Sequence, residues 1–502
     1  TAFAGKRSAS ERVFLHFGAA NYEAIVYVNG KRVGRHVGGF TPFEVEIGEV
    51  LVDGENTVIV KVDDQRHRDG VPTVNTDWYN FGGLTRDVLL VTVPRTFIKD
   101  YFVQLEKGSL DTIAGWVQLD GPEAAGRALN VRVLELGVNL ALTADKNGRA
   151  TFRVRPKDHG ASLELWSGEQ PKRYAVELST AGDQVEERIG FRSIATKGAD
   201  ILLNGKPIFL RGISIHEQAP ERPGRATSEA DARKLLGWAK ELGCNYVRLA
   251  HYPHNQHTIR VAEELGLLVW SEVPVYWTIQ WQNPETYANA EAQVTEMVHR
   301  DKNRACVILW SVSNETPITE PRNVFLRKLV AKVRSIDPTR LLTAALERHY
   351  SDEHTQVVDD PLGADLDVLG VNQYVGWYDG LPAKCDGIRW DVRYEKPLVF
   401  SELGGDAKAG LHGPADHRWT EEFQEDLYRH QIAMMKRIRV WRGLSPWILT
   451  DFQSPRRPLP KIQDGWNRKG LVSDRGEKKK AFFVLQSFYA SVARDPGASK
   501  GS

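Results

Sequence analysis

Cysteine is nearly absent: Cys244, Cys306 and Cys385 are the only three in 502 residues, and no CxxC spacing occurs. Three thiols cannot pair off completely, so neither a disulfide framework nor a zinc knuckle is supported. Cys244 and Cys306 each open an apolar strand and read as core filler. No run of 18 apolar residues occurs, so the sequence carries no membrane-spanning helix. An excess of one charge is also missing. Charged residues make up 26% of the chain with a net of only +1, too even a balance to hold nucleic acid or an acidic membrane surface. The one basic run, Lys478-Lys479-Lys480, precedes a predicted final helix and reads as its solvated start. There is no solenoid repeat and no low-complexity stretch. Nothing at Thr1 resembles a signal peptide, but the chain opens inside what reads as a domain. A soluble protein of either cytoplasm or periplasm is the expectation.

The length calls for two to four domains. Residues 1–95 read as antiparallel β: Ala24–Val28 runs into Asn29-Gly30, a strong hairpin signal, and Asp53-Gly54-Glu55-Asn56 turns into Thr57–Val62. Residues 96–195 show β-rich runs at sandwich spacing, namely Gly115–Leu119, Leu129–Leu136, Ala150–Val154 and Tyr174–Leu178. From 196 to 495 short apolar strands alternate with helical periodicity. Ser228 and Asp231 resemble a capping box ahead of Ala232, Leu235, Leu236, Ala239 and Leu242. Strands are predicted at Ile208–Ile213, Asn245–Ala250, Leu267–Ser271, Val307–Val312, Leu341–Ala345, Val368–Val371, Leu398–Ser401 and Ser445–Leu449. Eight such units in this length predict a (β/α)8 barrel behind two β-sandwiches.

Two of the strands end in carboxylates. Leu309–Ser313 runs into Asn314-Glu315, closing the fourth strand, and Pro397–Ser401 runs into Glu402, closing the seventh. A barrel presents its chemistry at the C-terminal ends of its strands. Two carboxylates there suit a retaining glycosidase, in which one acts as acid/base and the other as nucleophile. An amide such as Asn314 beside the acid/base can hydrogen-bond the sugar 2-hydroxyl, a contact that tightens in the transition state.

These motifs, with Asp77-Trp78-Tyr79-Asn80-Phe81-Gly82-Gly83-Leu84-Thr85-Arg86, Leu202–Pro207, Arg211-Gly212 and Val247–Pro253, resemble glycoside hydrolase family 2 over essentially the whole chain. The family's first sandwich normally begins several strands before the point where Thr1 stands, so a first sandwich short of its opening strands is expected. The resemblance implies a jelly-roll-like, sugar-binding first sandwich, an immunoglobulin-like second one and a catalytic (β/α)8 TIM barrel, with Glu315 as acid/base, Glu402 as nucleophile and no cofactor. Trp466-Asn467-Arg468-Lys469-Gly470 resembles the Asn-x-Lys motif by which β-glucuronidases hold a sugar carboxylate, mapping to Asn467 and Lys469. By position, Tyr374 resembles the tyrosine beside the nucleophile, Trp447 the aromatic wall of the sugar site, and Asp77 the acid that reaches in from the first sandwich. His216 and His251 follow strands one and two, where polar groups can face the sugar. Arg456 and Arg457 are not assigned to the site.

The implied activity is hydrolysis of β-D-glucuronides. The alternatives are a β-galacturonidase, a β-galactosidase, or a sugar-binding protein without turnover. His216-Glu217 lacks the rest of a zincin motif, and His251, His254 and His257 read as helix-start and loop contacts, so no metal site is expected. The short stretch from Glu315 to Val324 predicts an open mouth without a long lid. A homo-oligomer is compatible with the resemblance.

Overall fold

The computed structural model describes residues 1–6 and 8–495. Two sheets form the first part. One orders Ala2–Gly5, Gly54–Asp63, Glu23–Val28 and Lys31–Val37, and the other Phe43–Glu46, Glu11–Phe17 and Val88–Pro94. Glu23–Val28 buries alternate residues, as a strand with one solvent-facing side must. Phe17, Val26, Val28 and Ile47 fill the space between the sheets. The Asn29-Gly30 hairpin is present, with φ of 50° and 77°, the pair of positive values that its tight turn needs.

A second pair of sheets follows. Phe97–Leu105, Ile113–Asp120 and Arg149–Val154 face Val138–Thr143, Ala128–Val133, Tyr174–Thr180 and Asp183–Ile189. Val103, Val117, Val131 and Phe191 lie buried between them.

The rest is a parallel barrel. Its strands are β1 (Leu210–Arg211, resuming at Ser214–Ile215), β2 (Tyr246–Leu249), β3 (Leu268–Glu272), β4 (Val307–Asn314), β5 (Leu341–Leu346), β6 (Leu369–Asn372), β7 (Leu398–Glu402) and β8 (Trp441–Leu444). β8 pairs with the first half of β1, and β2 with its second half, which closes the ring. Strands buried on both faces need near-continuous apolar sequence, and β3, β4, β5 and β7 are buried at every position. The last strand differs from expectation. It runs over Trp441–Leu444, whose Arg442 and Gly443 disguise it, whereas the apolar Ser445–Leu449 segment forms the loop beyond it. Trp447 therefore stands three residues past the strand rather than at its tip.

The helix Glu229–Leu242 starts in the capping box anticipated at Ser228: the Ser228 hydroxyl accepts from the Asp231 N–H while Asp231 reaches back to the Ser228 N–H. Ser228→Ala is expected to cost about 1 kcal/mol, read as a lower urea midpoint with unchanged activity. Lys479 departs from the solvated reading of its basic run. It is wholly buried, and its Nζ donates to Asp451 Oδ1 at 2.8 Å and to the carbonyls of Ala407 and Arg468. No helix among the described residues is long and apolar enough to cross a membrane.

Arg86 ties the first sandwich to the barrel mouth. Buried, it donates to the carbonyls of Phe40 and Pro253, each at 2.6 Å, and to Glu217, which Arg225 also holds. This anchor presents the 77–86 segment to the barrel and brings Asp77 to the mouth.

Candidate active site

The C-terminal ends of the barrel strands surround a cavity of about 290 Å³ lined on one side by Glu315 and on another by Glu402. Glu402 is the last residue of β7 and is almost wholly buried. Its Oε1 accepts from Arg248 Nη1 at 2.8 Å, its Oε2 accepts from the Tyr374 hydroxyl at 2.7 Å, and His251 Nε2 lies 3.6 Å away. Burial lifts its carboxyl above the usual range; Arg248 opposes that rise and the Glu315 charge adds to it. Burial and Glu402 together push the Tyr374 phenol well up, so it stays a neutral donor.

Glu315 follows β4 in the left-handed region, at φ 48°. That conformation is costly for a residue with a side chain and concentrates at functional sites. A neighbouring strand and the loop after β3 hold it: the Glu315 N–H donates to the Ala345 carbonyl at 3.0 Å, and the Asn314 N–H to the Val275 carbonyl at 2.9 Å. Trp277, itself at φ 55°, donates its indole N–H to Glu315 Oε2 at 2.9 Å.

Beneath the cavity lies Arg248, a charged residue inside the otherwise apolar β2 and wholly buried. Besides Glu402 it binds Glu272, at 3.1 and 3.2 Å, and Asn314 Oδ1 at 2.7 Å. Glu272 ends β3 and also takes His251 Nδ1 and the Trp270 indole N–H, each at 2.8 Å. Burial works against the Glu272 charge, but Arg248 and His251 outweigh it and bring its carboxyl down to about 2. One guanidinium thus orients the Glu402 carboxylate and the Asn314 amide together.

The far wall comes from the segment after β8. Lys469, buried, pairs with Asp406 at 2.9 Å and donates to the Tyr378 hydroxyl at 2.9 Å. Burial disfavours its charge, yet Asp406 and Tyr378 hold the ammonium above its ordinary value. Of its three N–H groups, two are so committed. Asp77 arrives from the first sandwich and is clasped by Arg457, by Ser454 Oγ at 2.6 Å and by Asn467 Nδ2 at 3.4 Å.

Of the residues anticipated from sequence, Asp77, His251, Glu315, Tyr374, Glu402, Trp447 and Lys469 line the cavity. Trp447 stacks on His251 at 4.7 Å. Three stand back from the lining. Asn314 is turned to Arg248, and Asn467 holds its own loop, its Oδ1 accepting from the Lys469 N–H at 3.2 Å. His216 packs edge-on to Trp447 and bonds Tyr252 at 3.1 Å, where burial pushes its imidazole well down. It supports the wall and does not form it. Sequence reasoning passed over Arg457, which lines the cavity, and did not single out Tyr276, Trp277, Arg348, Tyr378 or Asp379. Arg248 and Glu272 left a readable signal, being charges inside and at the tip of apolar strands.

Comparison with known proteins gives two family matches: the TIM barrel domain of glycosyl hydrolases family 2 over residues 194–494, and the family's sugar binding domain over residues 1–94. Among relatives, the putative beta-glucuronidase of Formosa agariphila is 28% identical, with 95% of this chain and 61% of that protein aligned. The beta-glucuronidase of Rattus norvegicus is also 28% identical, over 97% of this chain and 80% of the relative. The chain therefore spans under two thirds of the first and four fifths of the second. Similar solved structures include a GH2 beta-galacturonidase from Eisenbergiella tayi bound to glycerol, with TM-score 0.85, 25% identity, and 98% and 88% of the two chains covered. A Bifidobacterium dentium beta-glucuronidase complexed with coumarin-3-O-glucuronide matches with TM-score 0.85 and 25% identity over 98% and 87%.

Proposed function

Since this chain belongs to glycosyl hydrolases family 2, we propose that it is a retaining exo-β-glycosidase that hydrolyses β-D-glucuronides. The observation that carries the reading is the pairing of Glu402, oriented by Arg248 and Tyr374, with Glu315 across one cavity that Lys469 also lines. Glu402 attacks the anomeric carbon while Glu315 protonates the departing oxygen; Glu315 then takes a proton from the water that releases the sugar. The donor from Tyr374 and the charge of Arg248 keep Glu402 ionised and aimed, against the effect of burial. Asn314, Asp77, His251 and Trp447 shape the sugar site, with His216 and Asn467 as their supports. The division into 1–95, 96–195 and 196–495 accompanies this reading: the first two ranges carry facing sheets and the third carries the ring of barrel strands, with the short strand Ile194–Lys197 straddling the last boundary.

The uronide preference rests on Lys469. Its remaining N–H suits a C6 carboxylate, and such a charge-assisted contact is worth roughly 1.5–3 kcal/mol, or about 10- to 150-fold. A β-galacturonidase would use the same contact, and the likeness to the Eisenbergiella tayi structure favours keeping that second reading. The deciding measurement is kcat/KM on matched aryl β-glucuronide, β-galacturonide and β-galactoside, for wild type and Lys469→Ala. Glucuronide is expected to lead, with Lys469→Ala costing both uronides ~10- to 150-fold and the galactoside far less. A leading galacturonide with the same Lys469 dependence would transfer the assignment to the other epimer. Indifference to Lys469 would remove the uronide reading altogether.

A further inference from the structure

Of the charged groups at the cavity, most are in ion pairs; Glu315 is held by the neutral Trp277 indole instead, and one cation stands without a contact partner. Lys469 has Asp406, Arg457 has Asp77, and Asp379 has Lys384 together with the Tyr350 hydroxyl. Arg348 also lines the cavity, yet among the described residues no carboxylate lies within ion-pair distance of it. Its guanidinium is nevertheless fixed. Nε donates to the Asn372 carbonyl at 3.0 Å and Nη1 to Gln356 Oε1 at 2.8 Å, and Nη2 takes no hydrogen-bond partner among the described residues. Glu315, Asp379 and Glu347 act on it only from beyond ion-pair distance; a half-buried, oriented cation without a contact partner, facing a cavity, has the form of an anion receptor.

Its place defines which part of a substrate it meets. Arg348 follows β5, three residues beyond Ala345, whose carbonyl receives the Glu315 N–H. It therefore stands on the Glu315 side, with Lys469 on the segment beyond β8. The acid/base of a retaining glycosidase faces the departing oxygen, so this side belongs to the leaving group. The half-buried Trp277, whose indole N–H holds Glu315, offers a ring face on this side of the cavity. We propose that Arg348 forms a leaving-group subsite that selects aglycones bearing a carboxylate or a sulfate, held through Nη2 and the second hydrogen of Nη1. The proposal rests on the acid/base reading of Glu315 for the sense of the cavity.

Three aryl β-glucuronides test it, alike except for a neutral, a carboxylate or a sulfate substituent on the aryl ring. Wild type is expected to favour one or both anionic substrates roughly tenfold or more in kcat/KM, with the preference shrinking as salt is added. The carboxylate and sulfate arms tell which anion is read. Arg348→Met should cost the preferred anionic substrate at least about tenfold more than the neutral one, and Arg348→Lys should recover part of the difference. Equal losses on all three substrates would make Arg348 a support for Glu315 and overturn the subsite. Calorimetric binding of benzoate, phenyl sulfate and phenol to both proteins requires no turnover. A preference for the anions that vanishes in Arg348→Met upholds the subsite even if the hydrolytic reading fails; identical binding of all three overturns it.

Discussion

Glu402→Ala is expected to lower kcat on an aryl β-glucuronide by at least ~10⁴-fold, with circular dichroism and Tm unchanged enough to exclude unfolding. The expectation follows from geometry. Glu402 is the one carboxylate of the cavity that Arg248 and Tyr374 both hold. On the proposed mechanism, removing it takes away the nucleophile but keeps the acid at Glu315. Azide should therefore enter the vacated space and restore part of the rate, giving a glycosyl azide of inverted configuration. Glu315→Ala should behave differently. Its first step should stay fast on a dinitrophenyl glucuronide, whose leaving group needs no proton, and fail on poor leaving groups. Substantial turnover by Glu402→Ala without azide would remove the assignment.

Arg248→Met is expected to show the second largest effect, on stability and on the pH profile together. The residue is wholly buried and answers two carboxylates, Glu402 and Glu272. Deleting one partner of such a group leaves buried charge uncompensated, at a cost of about 3–5 kcal/mol. The sign with pH follows from Glu272, whose carboxyl is brought down to about 2 in the folded protein. A depressed carboxylate contributes stability above its unfolded value and loses it as pH falls through the folded one. The deficit of Arg248→Met should thus be greatest near neutrality and shrink as the medium is acidified below the usual carboxylate range. Glu402, already raised by burial, should rise further without its cation. The acid limb of kcat/KM should move to higher pH, because Glu402 must be ionised to act as the proposed nucleophile. Arg248→Lys should restore little, since a point charge cannot span Glu272, Glu402 and Asn314 at once. Urea midpoints at several pH values and a pH–rate profile read both effects; an unshifted acid limb would sever Arg248 from the nucleophile.

Much of this was legible locally. Asn29-Gly30 specifies its hairpin because both positions take positive φ cheaply. Ser228 and Asp231 specify a helix start because the first-turn N–H groups need acceptors. Glu315 and Glu402 were visible as charges ending apolar strands, a placement barrels reserve for chemistry. Misreadings arose where local pattern and tertiary demand parted. Ser445–Leu449 looks more strand-like than Trp441–Leu444, yet closure of the ring selects the latter, where Leu210 and Arg211 supply its partners. Lys479 looked solvated in a basic run, but Asp451 draws it inside from 28 residues away.

What the sequence by itself determined is the family, the layered architecture and the placing of two glutamates at strand ends, because strand periodicity, turn chemistry and contiguous motifs act over a few residues. Only the tertiary structure decided who holds them. Arg248 reaches Glu402 across 154 positions and Arg457 reaches Asp77 across 380. It also decided that Lys469 is already paired while Arg348 is not, and that His216 stands behind the wall. Charge pairing depends on distances in space, and a barrel that gathers eight strand ends at one mouth makes neighbours of residues far apart in the chain.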